Sequence, residues 1–103
     1  MKLHKNILFL TIKEPYFSQI KKGVKTFEYR TISGYWEKKF KKKYDFILFQ
    51  NGYRNNSPRL LIELLAIEIH TLRDKNELFK NEIELFALKL GEQLQIDNEL
   101  IYA

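Results

Sequence analysis

The stretch Gly23-Val24-Lys25-Thr26-Phe27-Glu28-Tyr29-Arg30 constrains this chain more than any other segment. Gly23 stands where a short amphipathic helix would end, and the residues after it alternate with period two, the spacing of a β-strand. On that spacing Thr26, Glu28 and Arg30 share one face, and Lys25, Phe27 and Tyr29 share the other. Phe27 and Tyr29 are then expected to fill a core while Glu28 and Arg30 line something polar. Lys25, at the strand entrance on a long stem, can swing its ammonium to the Glu28 side. Three ionisable groups would converge beside a glycine turn. Spacing alone also permits a plainer arrangement, an exposed Glu28–Arg30 ion pair worth at most about 1 kcal/mol with Lys25 solvated.

The segments on either side read as short alternating elements. Ile7 to Ile12 is an apolar run suited to a buried first strand. Pro15 near the start and Gly23 near the end bracket a helix whose Phe17, Ile20 and Val24 fall at helical spacing. Lys25 to Thr31 is the second strand, and Ile32-Ser33-Gly34 breaks it. In Tyr35 to Lys43, Trp36 and Phe40 lie four apart, so a short helix can dock both inward and leave Lys38, Lys39, Lys41, Lys42 and Lys43 in solvent. A lysine patch beside aromatics also suits single-stranded nucleic acid. Asp45 to Gln50 is a third strand, followed by a loop of turn residues from Asn51 to Pro58. In and beside this loop, Tyr53, Arg54 and Arg59 combine flat faces with positive charge, a pairing that suits a nucleotide. Leu60 to Ile69 is a long strand. His70 to Asn81 reads as a loop with at most one helical turn around Leu78 and Phe79, and the periodicity of Ile83 to Leu90 fits helix and strand alike.

Composition sets the outer limits. A chain of 103 residues with 45% hydrophobic and 15% aromatic side chains is expected to form one domain over 1–103. It has no cysteine, and His4 and His70 are isolated, so neither a metal nor another cofactor is expected. The N-terminal Met1-Lys2-Leu3-His4-Lys5 and the run after it imitate a signal peptide, but Lys13 and Glu14 interrupt the apolar run too early. Without a stretch of spanning length, a cytoplasmic protein with no membrane partner is the expectation. Charge is uneven: residues 1–59 carry 14 Lys or Arg against 4 Asp or Glu, and residues 60–103 carry 4 against 9. The halves therefore hold +10 and −5, which implies a basic side.

The pattern Gly-x-Lys-x-x-Glu-x-Arg, here Gly23, Lys25, Glu28 and Arg30, resembles the signature of the ASCH domain family, whose fold is a PUA-like β-barrel. Leu10-Thr11-Ile12-Lys13, Glu28-Tyr29-Arg30 with Tyr35-Trp36, Phe49-Gln50-Asn51-Gly52-Tyr53 and Leu88-Lys89-Leu90-Gly91-Glu92 are similar to a small phage and bacterial branch of it. The resemblance implies an α+β chain: a small barrel of about five to six mostly antiparallel strands with one or two short helices. It makes Ile83 to Leu90 a strand, continued through Gly91 and Leu94 to Ile96 as a bent closing strand.

The function so implied is binding of single-stranded RNA or a nucleotide in a cleft lined by Lys13, Lys25, Glu28, Arg30 and the loop residues Asn51, Tyr53 and Arg54, with Trp36 alongside. Glu28 would accept a hydrogen bond from a base amino group. Two enzymatic alternatives exist, with Lys25 and Glu28 as the candidate catalytic residues and Lys25 required by both. Some ASCH-like proteins hydrolyse the N-acetyl group of acetylcytidine with a Lys, a Thr and a Glu. The lysine corresponds to Lys25, but the threonine position, three residues later, holds Glu28. Thr26 is a substitute only if it reaches, and the later glutamate is not fixed among Glu77, Glu82 and Glu84. A metal-independent ribonuclease built on Lys25, Glu28 and Arg30 is the second. A small protein that binds a host protein through its basic side is the non-nucleic alternative.

Overall fold

A computed structural model describes residues 6–54, 56–73 and 82–94. It is an α+β fold: β1 (Ile7–Ile12), α1 (Tyr16–Lys21), β2 (Phe27–Thr31), α2 (Gly34–Lys39), β3 (Phe46–Asn51), β4 (Arg59–Arg73) and β5 (Glu82–Leu94). The five strands form one mixed sheet in the order β1-β3-β4-β5-β2. β1 runs parallel to β3, and the other three pairings are antiparallel. The expected barrel does not close, because β1 and β2 stand at opposite edges with no ladder between them. One side chain spans that gap: an Arg30 Nη2 on β2 donates to the Thr11 carbonyl on β1 at 3.1 Å.

Alternation decides what each strand buries. On β1, Leu8, Leu10 and Ile12 are buried and Phe9 between them is 64% exposed. Leu8 and Leu10 join Ile47 and Phe49 of β3, Ile62 of β4, Leu88 of β5 and the helix residues Phe17 and Ile20 in one core. Trp36 of α2 and Phe40, which caps its C-terminal end, pack against it. Burying these apolar surfaces, at roughly 25 cal/mol per Å², is what holds two six-residue helices that would be marginal alone.

The end of α1 shows why Gly23 matters. The Val24 amide donates to the Gln19 carbonyl and the Gly23 amide to the Ile20 carbonyl, the paired bonds of a Schellman termination. Gly23 holds the left-handed conformation that this turn requires, with φ +77°, and a Cβ there would meet nothing within 4 Å. The cost of a side chain is therefore conformational alone. Gly23→Ala is expected to lower stability by about 1 kcal/mol in urea unfolding, and Gly23→Asn by less.

Three other expectations are corrected. Phe27 and Tyr29 do not fill the core: they are half-buried, with Tyr29 opposite Ala87 on the far face, while Glu28 lies opposite the fully buried Leu88 on the core face. Spacing told which residues share a face but not which face turns inward. Val24 is exposed and lies outside α1. His70 to Arg73 is strand, since β4 continues to Arg73 and pairs there with Glu82. The turn placed around Leu78 and Phe79, and the closing residues beyond Leu94, lie outside the described residues.

Candidate functional site

Glu28 is the buried charged residue of the described chain, its side chain only 9% exposed. Each carboxylate oxygen has a cation. Oε1 lies 3.4 Å from Lys25 Nζ, and Oε2 accepts from Arg30 Nη2 at 2.7 Å. The Schellman turn places Lys25 for this contact, because its amide follows that of Val24 onto the Gln19 carbonyl. Lys25 Nζ also faces the rings of Tyr29 at 5.4 Å and Tyr16 at 5.8 Å. The arrangement is a buried charge row across the strand, and removal of one member strands the others in low dielectric.

Arg30 connects the row to the outside. Its guanidinium carbon lies 5.3 Å from the Trp36 ring, and Trp36 stacks on Phe40 and meets Tyr35 edge-on. Arg30 and Trp36 form one wall of a cavity of about 610 Å³ that also takes in Phe9 and Thr11 of β1, Tyr35 of α2, Gln50 of β3, Tyr53 of the loop and Arg59 of β4. That size is in the range of small-ligand sites. Ser33 caps α2 by accepting from the Trp36 amide, which sets the start of the helix that carries the ring. Gln50 organises the opposite wall: its amide donates to the Gly52 and Arg54 carbonyls and its oxygen accepts from Arg59 Nε at 2.9 Å. Tyr53 stands at the mouth, 81% exposed. Arg30 Nε is buried with no hydrogen-bond partner among the described residues.

The cleft outlined from the sequence is divided in the structure. Arg30, Trp36 and Tyr53 line the larger cavity, whereas Lys25 lines a separate recess of about 300 Å³ with Gly23, Thr26 and Gly91. Glu28 lines neither and joins the two from beneath. Lys13 is exposed between β1 and α1, and Arg54 is exposed in the loop; neither borders the large cavity. Asn51 is turned to another task, its amide donating to Glu14 Oε1 at 2.9 Å and tying the loop to the start of α1. Of the glutamates considered for hydrolysis, Glu82 pairs with Arg73 and Glu84 lies opposite Thr71, both in the outer part of the β4–β5 hairpin. Glu77 lies outside the described residues. Among the described residues there is no group of three or more metal-binding side chains, and no helix long and apolar enough to cross a membrane.

Phe9, Tyr35 and Gln50 join the cavity without having been named as site residues from the sequence. The signal for Phe9 was present in its alternation with Leu8 and Leu10, but a continuous apolar run conceals which member points outward.

An open mixed sheet with two short helices makes this a small α+β domain, with an Arg–Glu–Lys row behind an aromatic-lined cavity. The ASCH domain family model matches residues 10–96, and the chain belongs to that family. No curated protein and no solved structure matches the chain.

Proposed function

We propose that this ASCH domain is a PUA-like nucleic-acid-binding module that receives a nucleotide in the cavity between Arg30–Trp36 and Tyr53. The observation that carries the reading is the convergence there of a guanidinium, four aromatic rings and a second arginine, Arg59, in a cavity of nucleotide size. Exposed rings provide stacking faces for a base, and Arg30 and Arg59 provide charge and donors for its phosphate or its acceptor edge. Glu28 serves as a positioning residue. By engaging one Arg30 nitrogen it fixes the plane of the guanidinium against Trp36, and Lys25 balances the carboxylate from the other side.

The same geometry favours binding over hydrolysis. Lys25 Nζ is held by Glu28 and two tyrosine rings, Thr26 is exposed, and neither borders the larger cavity. An amidohydrolase of the acetylcytidine type would need Lys25 as a free base beside a hydroxyl.

Tyr53→Ala tests the binding reading with little risk to the fold, because the ring is almost wholly exposed. Base stacking on an aromatic is worth about 1–3 kcal/mol, so affinity for single-stranded RNA is expected to fall at least fivefold with an unchanged melting temperature. Equal affinity of Tyr53→Ala and wild type in fluorescence anisotropy would remove Tyr53 from the site.

A further inference from the structure

A second cavity, of about 550 Å³, adjoins the first along β1. Phe9 lines both. The other walls of the second cavity come from the first residues of β1, and from Lys39, Lys42, Lys43 and Tyr44 at the end of α2 and beyond it. The three lysines are exposed, and none makes an ion pair among the described residues. Asp45, next along the chain, has its carboxylate held by the Asn6 amide at 2.8 Å. Tyr44 donates its hydroxyl to the Lys39 carbonyl, which fixes the segment carrying Lys42 and Lys43 against the end of the helix. One cavity thus offers rings with two arginines, the next offers lysines, and an outward-facing phenylalanine stands between them.

We propose that the two cavities form one site for a single-stranded oligonucleotide rather than a free nucleotide. One base enters the Arg30–Trp36 cavity, a neighbouring base stacks on Phe9, and the phosphates that follow run along Lys39, Lys42 and Lys43. This rests on the nucleotide-binding reading of the first cavity and adds the substrate class. Burial gives Phe9 no reason to be apolar, since its ring points away from the core formed by its neighbours Leu8 and Leu10. A stacking platform needs an exposed ring at such a place. Length agrees as well. Together the cavities touch β1 and the residue before it from Asn6 to Thr11, about 17 Å of strand at roughly 3.3 Å per residue. That length holds about five nucleotides at the stacked spacing of 3.4 Å, and fewer in an unstacked strand.

The experiment compares a random-sequence RNA hexamer with the four nucleoside 5′-monophosphates, using wild type, the triple variant Lys39→Ala/Lys42→Ala/Lys43→Ala, and Phe9→Ala. Melting temperatures of all three proteins serve as the folding control. For the wild type, the logarithm of hexamer affinity should fall linearly with that of salt concentration. In the triple variant that slope should flatten by about 2, the value for three phosphates at about 0.7 each. Phe9→Ala should weaken the hexamer at least fivefold. The triple variant, whose lysines do not border the first cavity, should bind the preferred monophosphate within twofold of wild type. A hexamer that binds no more tightly than a monophosphate, or a slope unchanged in the triple variant, overturns the extended site while leaving the first cavity standing. Absence of binding by both ligands overturns the two readings together.

Discussion

Arg30→Ala is expected to cost about 3 kcal/mol of stability and to abolish measurable RNA binding. The stability loss comes from three contacts. Glu28 keeps only Lys25 as a counter-ion at 3.4 Å, the Thr11 carbonyl loses the donor that spans the two sheet edges, and Trp36 loses the guanidinium at its face. The first dominates, because a carboxylate buried to this depth with half its partners removed costs about 3–5 kcal/mol in comparable pairs. An exposed pair would cost less than about 1 kcal/mol, so the measurement separates the two arrangements that the sequence left open. Arg30→Lys preserves the charge but not the guanidinium plane that lies against Trp36, and should recover only part of the loss. Urea unfolding of the three proteins checks this.

The second large effect is expected at Trp36. Its ring stacks on Phe40 at 5.2 Å between centroids, and Phe40 in turn meets Phe86 of β5 edge-on, so the pair ties α2 to the sheet. Truncation to alanine in a full core costs about 3–5 kcal/mol; with the ring partly exposed, Trp36→Ala should cost about 2–3 kcal/mol. Affinity should fall at least tenfold, since the variant loses both a wall of the cavity and the surface that orients Arg30. Trp36→Phe retains the stack on Phe40 and should restore most of the stability but less of the affinity. Parallel recovery of both would make the tryptophan a packing residue only. Thermal unfolding and anisotropy on the same preparations distinguish the outcomes.

Much of the fold could be read from residue types and spacing, and what could not has physical causes. Pro15 and Gly23 bracketed α1 because their backbone preferences act locally, and Trp36 and Phe40 announced α2 through a four-residue spacing that tertiary contacts only confirm. The outer part of β4 was hidden for the opposite reason. Thr71, Leu72 and Arg73 are all exposed, so no buried face imposes an alternation on them, and polar residues in such an arm resemble a loop. The open sheet edge escaped because pairing of distant strands depends on long-range register rather than on any local signal. On β2 the apolar pair Phe27 and Tyr29 suggested the inner face, yet Glu28 is inside because two cations neutralise it there. The same fact limited the site. Lys25, Glu28 and Arg30 were recognisable as a group, but only the structure shows that they run through the strand and open onto two cavities instead of one.

Trp36 is the single tryptophan of the chain and lies in the cavity wall, so indole emission comes from the proposed site. The most direct measurement is a titration of the wild-type protein with the random RNA hexamer and with each nucleoside monophosphate, exciting only the indole. Saturable quenching by the hexamer and by at least one monophosphate, weakened in Tyr53→Ala, is the predicted result. Emission that stays constant as the hexamer reaches millimolar concentration at low salt would contradict the account.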